Sequence, residues 1–382
     1  MRTGARDART EPKMSMIRLF LCGDVMTGRG IDQILPSPGQ PGLHESFVRS
    51  ALDYVELAER RSGAIARPVP PGYIWGEALS ELERHQPDVG IVNLETAVTS
   101  SDDAWPGKAV HYRMHPANVI CLGAAGVDCA VLANNHVLDW GRAGLAQTLA
   151  SLRAAGIAVA GAGRDSREAA LPAVLPVPHG GRILVFAFAM TSAGTPSNWE
   201  ATGNRSGVAL LHDCSAASVE RLRDRISVER RSGDVVVMSI HWGPNWGYEV
   251  DAERRRFARA LIDQASVDVV HGHSSHHPMA IELHGGKPIL YGCGDFINDY
   301  EGISGYETYR PDLALMYFVT LDPTGGGPVQ LRLVALMRKQ FRLGYAPESD
   351  LDWLLAMLRR EGRSSGTHAV RAGEHELRVS AD

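Results

Sequence analysis

Long apolar runs, an excess of basic charge and an even set of cysteines are all missing from this sequence, and each absence removes a class of function. No stretch of the 382 residues approaches the roughly 20 apolar side chains of a bilayer-spanning helix, so no membrane role is expected. The 39 Lys and Arg are outnumbered by 44 Asp and Glu, for a net charge of −5, which leaves no basic footprint for nucleic acid. The five cysteines (Cys22, Cys121, Cys129, Cys214, Cys293) are odd in number and scattered. They read as buried free thiols in a reducing compartment rather than as a disulfide framework or a zinc site. Met1–Met16 carries charge but no apolar core of signal-peptide length. A cytoplasmic setting is expected, with residues 1–15 a disordered leader and Met14 or Met16 an alternative start.

What is present is ordinary for a folded protein, 44% hydrophobic and 22% charged residues, with a length sufficient for one large α/β domain. Apolar runs of strand length alternate with amphipathic segments: strands near 17–23, 88–94, 128–133 and 157–160, and helices near 75–84, 116–125 and 141–155. The second half repeats this with strands near 183–187, 234–240 and 267–270 and helices at 216–231 and 253–265. The alternation indicates βαβ units and parallel pairing. Closely spaced strands follow to residue 337, joined by Gly285-Gly286 and Gly325–Gly327, a pattern that favours antiparallel pairing. One domain is expected over 16–345, and then a tail, 346–382, with one helix and loose polar residues.

Five of the strand-like runs end in polar clusters: Cys22-Gly23-Asp24, Asn93-Leu94-Glu95, Asn134-Asn135-His136, Ser239-Ile240-His241 and His271-Gly272-His273. Ligands at the ends of successive strands converge on one rim of an α/β sheet. Carboxylate, amide and imidazole donors without thiolate suit a hard or borderline divalent ion. Each residue has a plainer reading. Asp24 can cap a helix after Thr27, Glu95 can be a surface acid, and Asn135-His136 can be a turn with polar tips. Asp139 can cap the helix after it or orient His136. The four histidines within His271–His277 can be a solvated loop. Taken together, the clusters read as a metal site.

In order, Gly23-Asp24-Val25-Met26, Asn93-Leu94-Glu95, Ala133–Gly141, His241-Trp242-Gly243, Gly272–Pro278 and Tyr291–Phe296 resemble one family. This is the capsule-polymer (poly-γ-glutamate synthesis) CapA family, a branch of the calcineurin-like metallophosphoesterases. The resemblance runs from about residue 17 to 320. It implies an α/β fold, a four-layer αββα sandwich of two stacked mixed sheets flanked by helices, with one or two divalent ions at the strand ends. Mn²⁺ is the expected ion, with Ca²⁺, Mg²⁺, Zn²⁺ and Fe²⁺ open. Carried over by position, the metal ligands are Asp24, Glu95 as bridging acid, Asn135, His241, His273 and His276. Met26 stands where the wider superfamily has a ligating histidine, and His271 or His276 is the expected compensation. His136 would face the reacting group, with Asp139, Asp295 and His277 as further acid–base candidates.

Trp242 and Trp246 flank His241 and are candidate substrate contacts or a lid, and Arg113 is a candidate partner for a substrate carboxylate or a structural ion pair. Without an envelope anchor, the leading expectation is a metal-dependent epimerase acting on a precursor peptide, as the resemblance extends to the lasso-peptide epimerases. The alternatives are a hydrolase of phosphoesters or of γ-glutamyl or other amides, and a non-catalytic binding module with a degenerate metal site.

Overall fold

The computed structural model describes residues 16–178, 181–323 and 329–381. The expected leader at 1–15 and the turn at Gly325–Gly327 lie outside the described residues. Among the described residues the first sheet has ten strands. From edge to edge its path is Thr367–Arg371, Glu376–Ala381, Gln330–Lys339, Leu313–Leu321, Ile17–Val25, Val89–Leu94, Cys129–Val131 and Ala158–Ala160. Asp295–Ile297 also pairs with Ile17–Val25, and Arg342–Tyr345 with Gln330–Lys339. The second sheet has six, in the order Ile281–His284, Lys287–Leu290, Val269–His273, Val235–His241, Arg182–Ala189 and Ala173–Pro176.

Three apolar clusters show the layering. One, with Leu19, Leu21, Ile91, Val185, Val237 and Val269, draws from both sheets and fills the space between them. Phe20, Cys22, Val92 and Ala130 alternate with those residues and face outward, against Ile34, Val55, Leu145 and Leu149. Leu184, Val236 and Met238 face the opposite way, under Leu222 and Ile226 of helix Ala216–Glu229 and Phe257 and Leu261 of helix Ala252–Ala265. The period of two along each central strand thus puts every residue into an apolar layer, which explains the near-continuous apolar runs of these parallel strands. The result is the expected αββα sandwich.

Parallel pairing runs through Ile17–Val25, Val89–Leu94, Cys129–Val131 and Ala158–Ala160, and through Arg182–Ala189, Val235–His241 and Val269–His273. The carboxyl ends of each set therefore lie on one side. The Ile281–His284 and Lys287–Leu290 hairpin is antiparallel, and its turn residues Gly285 and Gly286 both have positive φ, 56° and 77°. The expected loose tail is corrected. Helix Glu348–Gly362 is followed by Thr367–Arg371 and Glu376–Ala381, which extend the first sheet and bury Ala369, Leu377 and Val379 between the layers. No helix among the described residues is long and apolar enough to cross a membrane, and their cysteines are free.

Candidate metal centre

The site begins where the chain after Cys293 crosses the end of strand Ile17–Val25. Asp24 N–H donates to the Gly294 carbonyl at 3.0 Å. A Cβ on Gly23 would meet that oxygen at 1.8 Å, so only glycine fits before Asp24. Asp24 is fully buried; its Oδ1 accepts from Asn93 Nδ2 at 2.7 Å, while its Oδ2 faces no donor. Burial, and then the Asp295 carboxylate, push Asp24 up to about 7. Glu95 is raised as well, by burial first and then by Asp24 beside it. Acidic groups packed this way either keep a proton or take a counter-charge.

A row of amides sets the positions of these acids. Asn134 Nδ2 donates to Asn93 Oδ1 at 3.1 Å, and its own Oδ1 accepts from the backbone of His136 and Val137, each at 3.1 Å. That turn aims His136, whose Nδ1 lies 2.6 Å from Asp139 Oδ2 and whose Nε2 is 3.7 Å from Glu95 Oε1. Asp139 also accepts from the Tyr112 N–H at 2.7 Å and from Lys108 Nζ, so it orients His136 and does not cap the following helix. Burial lowers His136 to about 4 against the pull of Asp139, and Lys108 lowers it further.

From the second sheet, His241 Nδ1 and His273 Nδ1 face each other at 2.8 Å. That is roughly the spacing of adjacent ligands on one cation with metal–nitrogen bonds of about 2.0–2.1 Å. Burial keeps both rings well below the usual imidazole range, hence neutral and able to ligate. Asn135 Oδ1 lies 3.1 Å from His241 Nε2. On the other side, His276 Nδ1 is 2.8 Å from Asp295 Oδ1, and Asn298 Nδ2 donates to Asp295 Oδ2 at 2.7 Å. Burial pulls His276 down, but Asp295 more than offsets it and the net shift is upward.

Two buried groups have donor atoms within 4.8 Å of one another: Asp24, His241 and His273, and Asp24, His276 and Asp295. Asp24 belongs to both, the part the sequence assigned to Glu95. The unpartnered Asp24 oxygen, the facing imidazole nitrogens and the surplus of carboxylate fit a divalent cation. Met26 is buried and offers only its thioether, 3.8 Å from the Tyr300 hydroxyl; His276 and Asp295 supply donors on that side.

Three expectations are corrected, and Arg113 takes the second of its two expected roles. His271 is not in the ligand set: its Nε2 is 2.8 Å from the Cys22 carbonyl and its Nδ1 3.0 Å from Ser239 Oγ. Trp242 follows His241 on the strand and so points to the opposite face, into the outer core, where its Nε1 donates to Tyr291 O at 2.9 Å. Arg113 donates to Ser101 O and Asp102 Oδ1, both at 2.7 Å, and stacks over Trp140, which is the structural ion pair. His277 lies among Trp246, Tyr248 and Tyr309, with Nδ1 against the Pro278 carbonyl. Trp246 does sit beside the site, stacked on Tyr306 at 3.9 Å and 5.2 Å from His276.

Several participants had no signal in the sequence. Lys108 comes from a loop with no periodicity. Tyr112 packs against His136 and Tyr300 against His276, and their hydroxyls are 2.6 Å apart. Behind them the Arg29 guanidinium lies over Tyr112 at 4.6 Å and pairs with Glu45 at 2.8 Å and Asp299 at 2.5 Å. Only the closeness of Arg29 to Asp24 in sequence could have drawn attention to it.

The chain has relatives among known proteins. The chain is 44% identical over 365 residues to the probable polyglutamine synthesis accessory protein of Mycobacterium tuberculosis, covering 95% of this chain and 96% of the relative. It is 25% identical over 304 residues to the PGA biosynthesis protein CapA of Bacillus subtilis, covering 79% of this chain and 68% of that protein. Residues 18–300, which hold every candidate ligand, match the family model for the bacterial capsule synthesis protein PGA_cap, and the chain belongs to that family.

Proposed function

We propose that this protein is a divalent-metal-dependent hydrolase that cleaves glutamyl amide bonds in the service of polymer synthesis. The observation that carries the reading is the unpartnered, buried Asp24 oxygen beside the His241–His273 pair and near an oriented histidine, His136. The substrate class rests on the names of the relatives, a polyglutamine synthesis accessory protein and a PGA biosynthesis protein. Asp24, His241 and His273 would hold the metal; when bound, it supplies Lewis-acid polarisation and a more acidic water. Asp139 holds the His136 Nδ1–H, which leaves Nε2 as the proton acceptor. His276, raised by Asp295, is the complementary donor to a leaving amine. Two imidazoles with shifts of opposite sign make a base and an acid.

The test is turnover of γ-glutamyl oligopeptides, polyglutamine peptides and p-nitrophenyl phosphate with Mn²⁺. Cleavage of a glutamyl chain is expected, falling at least about 100-fold in Asp24→Ala and His136→Ala. Turnover of the phosphate ester alone contradicts the substrate class.

A second reading, metal-assisted epimerisation of a peptide, is favoured by the same base and acid, linked through the Tyr112–Tyr300 hydroxyl pair. It loses support because Trp242, the expected peptide contact, is in the core. Deuterium entering one Cα from D₂O without cleavage would establish this reading in place of the hydrolase.

A further inference from the structure

We infer that Ser239 and His271 act as positioning residues that set the tautomer of His273, so that its Nδ1 is presented to the metal as a lone pair. This rests on the metal reading of the site. The argument follows the hydrogen bonds in one direction. The Cys22 carbonyl can only accept, so the His271 Nε2 that approaches it at 2.8 Å carries a proton. His271 is buried with no carboxylate among its hydrogen-bond partners, so the ring is neutral and Nδ1 is an acceptor. Ser239 Oγ, 3.0 Å away, therefore donates its single proton to His271 Nδ1. Having used that proton, Ser239 Oγ can only accept from His273 Nε2, at 2.9 Å. His273 then carries its proton on Nε2, and Nδ1, the nitrogen 2.8 Å from His241 Nδ1, is bare.

The polarity of the relay is set by a backbone carbonyl of the other sheet. Ser239 and His271 stand opposite each other in the parallel register, as do His241 and His273, so two alternate rungs of one ladder, on the same face, carry the relay and the ligand pair. A reversed relay would place a proton on His273 Nδ1 and block ligation, since a ligating imidazole nitrogen must be unprotonated. Partners that orient a metal histidine typically contribute about 10–100-fold in affinity.

The experiment is ¹⁵N NMR of the metal-free protein with labelled histidine, the His273 signal being assigned by its loss in His273→Gln. The same proteins are then titrated with Mn²⁺. The expected result is an Nε2–H tautomer for His273 in the unmodified protein. Ser239→Ala is expected to give mixed tautomers and about 10–100-fold weaker Mn²⁺ binding, both restored in Ser239→Thr, which keeps the hydroxyl. An Nδ1–H tautomer in the unmodified protein, or an unchanged His273 signal in Ser239→Ala, overturns the inference. The expected tautomer without Mn²⁺ uptake upholds the relay and overturns the metal reading instead.

Discussion

Asp24 shows how one side chain couples the metal to the stability of the protein. Its carboxyl is raised from 3.8 to about 7, so the folded protein holds a proton there that the unfolded chain has released. The resulting stability is fully present below pH 3.8 and is lost as pH rises through about 7. The metal-free protein should therefore melt at lower temperature at pH 8 than at pH 5, and Asp24→Asn should flatten that slope. Mn²⁺ displaces the proton, so it should raise the melting temperature more at pH 8 than at pH 5. Calorimetry across this range checks both signs. Lys108 gives a second expectation. Its ion pair with the fully buried Asp139 is itself 14% exposed at the Lys108 side chain. Lys108→Met leaves that carboxylate short of a partner and should cost about 3 kcal/mol in urea unfolding.

At this scale the acids and imidazoles at strand ends were legible because each followed an apolar run. Trp242 was misread although the strand period of two already sends it away from His241. His271 shares a face with His273 but stands two residues deeper, where it meets the Cys22 carbonyl before any ligand. Lys108 and Tyr300 were illegible because loops bring them in from remote parts of the chain.

Among the elements, the βαβ alternation was readable because core strands and amphipathic helices differ in period. The last two strands were not, since Arg371, Glu374, Glu376 and Arg378 hide the buried positions between them. Glu376 is held in place by Arg84 at 2.9 Å and by Arg332. Leu377 is fully buried in the layer between the sheets, so Leu377→Ala should cost about 2–5 kcal/mol in urea unfolding. A loose tail would tolerate that change without measurable loss.

For the whole molecule, the two sheets meet at the site. Asp24, Glu95, His136 and Asp295 come from the first sheet and the turns at its strand ends, His241 and His273 from the second, and His276 from the turn that follows His273. A cation held here ties the layers together, and the fold is the device that gathers donors from distant positions. The most direct test is a crystal grown with saturating Mn²⁺ and measured for anomalous scattering. The expected result is a peak within coordination distance of Asp24 Oδ2, His241 and His273. Full-occupancy protein density with no peak there contradicts the account.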